Sequence, residues 1–347
     1  MQAIEWRRCP QRFGTGQQLI RLALVVGFFL TAGIQLPAGS IVWPIQGEPI
    51  PRNRPVADVI QATVSGKPES GLFGCVRNNG YKFHEGIDIK SQRRDRYNLP
   101  MDKVIAVMPG QVAYVNKIGG KSSYGIYVIL EHPGQKPKVY SLYAHLHSVE
   151  PGIAKGRTVA AGQVLGLMGA TASTVIPRSR AHLHFEIGLR LTDNFQKWYD
   201  AQKFKSRNEH GVWNGMNMVG LDTLDFFRKA ADGKIDSVED YFKTIPEAFR
   251  LRVRSSGTPS LVRRYPALVD GAISSGTDVW DVAFSWYGMP ISIKPVANAG
   301  NAGKVQILKM NKPLLAMTKC RSTLVSRDGG VSLGSMLTLY LELIFNV

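Results

Sequence analysis

His182-Leu183-His184 sets two imidazoles on alternate residues of an apolar run, Ala181 to Ile187, that reads as a strand. Alternate strand residues point to one face of a sheet, so both rings can look into a single cleft. About a hundred residues earlier, His84-Glu85-Gly86-Ile87-Asp88 offers a nitrogen and an oxygen donor with three residues between them. Six of the seven histidines fall between His84 and His184, which favours a shared site over scattered surface rings. The fold must therefore bring two distant segments side by side. Imidazole and carboxylate together suit Zn²⁺, whose catalytic sites keep three protein ligands and one place open to solvent.

The surrounding pattern is that of a sheet. Thirty-five Gly and 19 Pro in 347 residues supply many turns, which favours β structure over helical bundles. Short apolar runs follow one another: Val104 to Val107, Gln111 to Val115, Tyr124 to Leu130, Lys138 to His145, Val164 to Met168 and Ala181 to Ile187. Pro109-Gly110 between the first two predicts a hairpin. The fold class expected is mainly β, an antiparallel sheet core over residues 70–190. Residues 39–69 form a Pro-rich lead-in. Residues 191–244 form a helical linker, with helices over Asp193–Phe204, over Leu221–Lys229 and from Ser237, capped with Asp240 three residues on. Residues 245–347 form a smaller β-containing region of unknown role. Its last run, Met336 to Phe345, reads as one or two strands.

The formal net charge of +17 draws such a chain to polyanions without choosing among nucleic acid, anionic lipid and bacterial wall. The amino terminus narrows the choice. Arg7, Arg8, Arg12 and Arg21 precede a thirteen-residue apolar run, Leu22 to Ile34, and then Ala38, Gly39 and Ser40. That run is well short of the ~20 residues a spanning helix needs. With the small residues after it, residues 1–38 have the layout of a signal peptide. Export to the periplasm, cell envelope or extracellular space is expected, with no nucleic-acid partner and no stable membrane span in the mature chain. No cysteine follows the apolar run, which argues against a lipid anchor. Cys75 and Cys320 would survive processing, and the sequence leaves open whether they pair or are two separate buried thiols.

With those residues in view, positions 70–188 resemble the lysostaphin-type (LytM-like) zinc metallopeptidases that cut peptide bridges of the bacterial cell wall. The resemblance rests on Phe73-Gly74, His84-Glu-Gly-Ile-Asp88-Ile, Tyr143-Ala-His145-Leu, Val159-Ala-Ala-Gly162-Gln-Val-Leu-Gly166 and His182-Leu-His184-Phe-Glu186, in that order. It covers about a third of the chain and implies His84, Asp88 and His184 as ligands of one Zn²⁺. His145 and His182 would then act on the water and the leaving amine, the division between them left open. The activity implied is hydrolysis of peptidoglycan peptide cross-links. The alternative is a non-catalytic cell-wall regulator, or activator of another wall hydrolase, that uses the same fold as a binding surface. A secreted peptidase for Gly-rich proteins would use the same zinc chemistry. The C-terminal region, unlike anything in a minimal member, could meet an envelope protein partner.

Other residues carry plainer readings. His132, His147 and His210 are expected to be structural or at the surface. Glu186 either orients a ligand or is a surface carboxylate. Gly86 is expected to let backbone crowd the metal.

Overall fold

The computed structural model describes residues 41–297, 303–316, 320–327 and 330–347. The expected signal peptide, residues 1–38, lies outside them. Eleven strands build the region around the histidine motifs: β1 (Gly74–Arg77), β2 (Lys82–His84), β3 (Ile87–Lys90), β4 (Lys103–Ile105), β5 (Gly110–Asn116), β6 (Ile126–Glu131), β7 (Tyr140–Val149), β8 (Thr158–Val159), β9 (Val164–Met168), β10 (His182–Arg190) and β11 (Met218–Gly220). Nine of them join one sheet in the order β11-β10-β7-β6-β5-β8, with β3 on β10, β9 on β7 and β4 on β9. All pairings are antiparallel. β1 and β2 form a separate two-stranded hairpin. The molecule is thus mainly β, with antiparallel sheets, as the turn-rich pattern implies.

One local expectation is overturned. β4 and β5 do not form a hairpin across Pro109-Gly110, because β4 pairs with β9 while β5 pairs with β6 and β8. The cause is the lead-in segment, which takes the other edge of β4. Ile45 bridges Val104, and Ile105 N–H donates to the Pro44 carbonyl. Trp43, Ile45, Val59 and Ile60 of that segment are buried in the core.

The helices begin where side chains can cap them. Asp222 accepts from Asp225 N–H at the start of Thr223–Ala231, and Ser237 accepts from Asp240 N–H at the start of Val238–Thr244. Each satisfies one of the donors a helix start leaves free. The first helix after β10 covers Phe195–Ala201, shorter than the span read from sequence.

In the C-terminal region, β12 (Phe249–Arg254), β13 (Val279–Phe284), β14 (Pro290–Pro295) and β15 (Val305–Met310) form an antiparallel sheet in the order β14-β13-β12-β15. β12 alternates as a one-sided strand should. Phe249, Leu251 and Val253 are buried, while the outward Arg250 and Arg252 pair with Glu247 and Asp281. β16 (Leu324–Arg327) and β17 (Gly330–Leu333) form a second hairpin. The run Met336 to Phe345 is not a strand. Ser335–Phe345 is a helix that buries Leu337, Tyr340, Leu341 and Ile344 at the spacing of one helical face, and Leu343 and Phe345 beside them. The misreading has a physical source: Leu337, Leu339, Leu341, Leu343 and Phe345 also alternate, so both periods fit the same letters. One hydrophobic cluster of buried side chains runs from Trp43 to Phe345.

Candidate metal centre

Two ladders carry the site. In the β3–β10 pairing, Asp88 stands opposite His184, and in the β10–β7 pairing His184 stands opposite Ala144. Directly opposed residues point to the same face, so register alone aims the Asp88 carboxylate at the His184 ring. His84 ends β2 and reaches the cluster across the two residues that separate it from β3. Gly86 permits this approach. A Cβ there would lie 2.1 Å from the Phe185 carbonyl oxygen, so the residue makes room for β10 rather than, as expected, for a metal.

His84, Asp88 and His184 each offer one donor atom, and the three atoms lie within 4.8 Å of one another. His84 Nε2 is 3.0 Å from His184 Nδ1 and 3.2 Å from Asp88 Oδ1, which is itself 3.1 Å from His184 Nδ1. The opposite ring nitrogens are held. His84 Nδ1 donates to the Leu72 carbonyl at 2.8 Å, and His184 Nε2 to Glu186 Oε1 at 2.8 Å. Such anchoring fixes ring orientation and leaves the inner nitrogens for coordination. Two imidazoles and a carboxylate so arranged fit a divalent transition metal.

His145 and His182 flank the group, their ring centroids 4.8 Å apart. His182 Nε2 is 3.4 Å from Asp88 Oδ1 while its Nδ1 donates to the Arg180 carbonyl at 2.7 Å. His145 Nδ1 donates to the Thr171 carbonyl at 2.8 Å. In a regular strand His145 would face away from its neighbour Ala144, and so away from His184. Its φ of +59° breaks that alternation and brings the ring within 5.9 Å of the His184 ring. Left-handed backbone at a non-glycine residue is uncommon and concentrates at functional sites.

Every sequence-singled residue of the five is therefore in one cluster. His147 is not: the same φ leaves it exposed. His132 is wholly buried between the Pro109 carbonyl and the Ser141 hydroxyl, at 2.9 and 2.7 Å. His210 meets the Tyr114 hydroxyl at the cavity margin.

Four contributors were missed or left open in the sequence. Glu186 is buried, not at the surface, and accepts from His184, from the Tyr124 hydroxyl at 2.8 Å and from the Tyr140 hydroxyl at 2.7 Å. The alternation His182, His184, Glu186 was its signal. The two tyrosines had none. Arg77 on β1 places Nη2 2.5 Å from Asp88 Oδ2 and 2.8 Å from His84 Nε2. Asp88 can thus give Oδ1 to the cluster while Oδ2 accepts from the guanidinium. The His84 lone pair serves either Arg77 or a metal, not both.

Electrostatics follow from burial opposed by neighbours. Burial pushes Asp88 up, but His84 and His182 outweigh it and hold the carboxyl well below its usual range. Burial also pushes Glu186 up, yet its hydrogen bonds from His184 and the tyrosines leave it lowered. Burial depresses His184, but hydrogen bonds to Asp88 and Glu186 prevail and raise it to about 9. For His145 burial is reinforced by His182 and His184, which drives it down to about 3 and keeps it neutral. Burial and Glu186 raise Tyr124 and Tyr140 far above 10, so both phenols stay protonated as donors.

The cluster lines a cleft of about 710 Å³ whose walls include Tyr124, Trp213, Lys82 and Arg180. A metal held by these three donors, with two flanking imidazoles and an open cleft, would suit hydrolysis of an amide.

Residues 82–195 match the model of peptidase family M23, and this stretch is a domain of that family. Among solved structures, a Ruminococcus gnavus protein described as a glycyl-glycine endopeptidase lytM is 24% identical, with 43% of this chain and 47% of that one covered and a TM-score of 0.29. The catalytic domain of the antimicrobial peptidase lysostaphin from Staphylococcus simulans is 16% identical, covering 50% of this chain and 95% of that domain, with a TM-score of 0.30. A zinc containing peptidase from Vibrio cholerae is 22% identical, covering 43% and 36%, with a TM-score of 0.24. The chain thus spans under half the length of the first and third of these. No curated protein matches it. Among the described residues, no helix is long and apolar enough to cross a membrane.

Proposed function

We propose that the protein is an exported zinc metalloendopeptidase that hydrolyses peptide cross-links of peptidoglycan, with one Zn²⁺ per chain held by His84, Asp88 and His184. The observation that carries this reading is the convergence of three donor atoms within 4.8 Å inside a peptidase family M23 domain. When bound, zinc supplies a Lewis acid for the scissile carbonyl and brings the pKa of water towards neutrality. His145 and His182, each anchored through Nδ1, keep Nε2 to accept a proton during attack and return one to the leaving amine. Glu186, braced by Tyr124 and Tyr140, holds the His184 ring in place. The cationic surface favours approach to an anionic wall, and the apolar run Leu22 to Ile34 supports export.

The test is mass spectrometry of products from purified cross-linked peptidoglycan. Wild type should free new amines, lose this on chelation and regain it with zinc. His184→Ala should release none, and His145→Ala with His182→Ala should be equally silent. Folded wild-type protein that frees no amine at any zinc level would reject the hydrolase and leave the regulator that uses the fold as a binding surface.

A further inference from the structure

The weakest support in the site lies under His84. Asp88 and His184 stand in the nine-stranded sheet, but His84 and Arg77 belong to the β1–β2 hairpin, which pairs only Gly74 with His84, Cys75 with Phe83 and Arg77 with Lys82. A two-stranded hairpin is marginal on its own, yet ligand geometry demands a fixed ring. The hairpin is held from outside. Cys75 is disulfide-bonded to Cys320. The next residue, Arg321, sets its guanidinium carbon 3.9 Å from the centre of the Phe83 ring, one residue before the ligand. Its Nη1 is 3.9 Å from Glu85, one residue after the ligand, and its Nη2 donates to the phenol of Tyr340 at 3.1 Å. Aromatic packing completes the grip. Phe83 meets Trp286 edge-on at 6.0 Å, and Phe73 meets Tyr287 at 5.0 Å. Gly74, at a φ of +102°, lies under Trp286, where a Cβ would touch the indole at 3.4 Å.

Residues on both sides of His84 therefore lean on chain more than two hundred positions away. We propose that the C-terminal region is a clamp that sets the metal affinity of the site by fixing the β1–β2 hairpin, with Cys75–Cys320 and Arg321 as its positioning contacts. The inference rests on the metallopeptidase reading only in requiring that His84, Asp88 and His184 bind a metal. Release of the clamp frees one ligand of three and the Arg77 guanidinium with it, while Asp88 and His184 stay in the sheet.

The experiment measures the zinc dissociation constant of the full chain by competition with a chromophoric chelator. Outer contacts that orient a ligand typically change metal affinity by about 10–100-fold. The double variant Cys75→Ser with Cys320→Ser, and separately Arg321→Ala, should weaken zinc binding by that factor. Arg321→Lys, which keeps a cation over Phe83, should recover part of it. Arg252→Gln breaks an ion pair with Asp281 on the C-terminal sheet, away from the hairpin, and should leave affinity unchanged even where it lowers stability. Near-ultraviolet circular dichroism reports whether each variant is folded, and Arg321→Ala decides if the cysteine variant is not. Clamp variants that stay folded and bind zinc as tightly as wild type overturn the clamp alone. A wild-type chain that binds no zinc overturns the metal site itself, and the clamp with it.

Discussion

Glu186 shows how a single buried carboxylate can organise a cluster of candidate metal ligands. It takes three donors, two of them phenols kept protonated by burial, and through Oε1 it holds His184 by the nitrogen that faces away from Asp88. Glu186→Gln is expected to weaken zinc binding by about 10–100-fold, measured by chelator competition. Affinity equal to wild type would mean that the sheet alone fixes the ring. His84, Asp88, His182 and His184 stood out by type and spacing, as His-x-x-x-Asp and His-x-His, while the division into ligands and flanking groups, and the place of His145, came from the resemblance. Arg77, Tyr124 and Tyr140 did not stand out, since a tyrosine or arginine donor is recognisable only once its acceptor has been placed. His132 belongs to the same scale. Burial, opposed by the Pro109 carbonyl, pushes it down from 6.5 to about 4. Between those values the unfolded chain binds a proton that the folded chain refuses. The contribution of His132 is therefore full above pH ~6.5 and falls by about 3 kcal/mol as pH drops to ~4. Urea unfolding across that range should show a smaller loss in His132→Gln than in wild type, because His145 still contributes its own. Parallel curves would contradict the assignment.

At the scale of elements, two antiparallel registers do most of the positioning. The Asp88–His184 and Ala144–His184 pairings are settled by backbone hydrogen bonding before any metal is considered. Gly86 is the joint that lets the β2–β3 connection lie on β10. Gly86→Ala is expected to cost about 1–3 kcal/mol in urea unfolding by overpacking against the Phe185 carbonyl, together with lost zinc affinity. A stable variant with unchanged affinity would show that the connection can shift freely. Strand positions were readable from apolar runs and turns, but partners were not. The absent hairpin at Pro109-Gly110 and the helix Ser335–Phe345 fail for one reason: local pattern does not report which edge is already taken or which of two periods the core selects.

Over the whole molecule, a hundred residues with no catalytic pattern are tied to the site by one disulfide, one arginine and an aromatic cluster. Other contacts run alongside. Tyr265 accepts from Arg190 N–H at the end of β10, and Trp198 donates to Glu342 of the last helix. None of this could be read from a sequence in which Cys75 and Cys320 were two thiols of undecided pairing. Segments a hundred residues apart meet in a single cluster of donor atoms. The most direct measurement is anomalous X-ray diffraction at the zinc edge from crystals of the zinc-loaded chain. One ion bonded to His84, Asp88 and His184, and lost in His184→Ala, is the predicted result. A well-ordered crystal with no ion there, or with zinc bound only elsewhere, would contradict it.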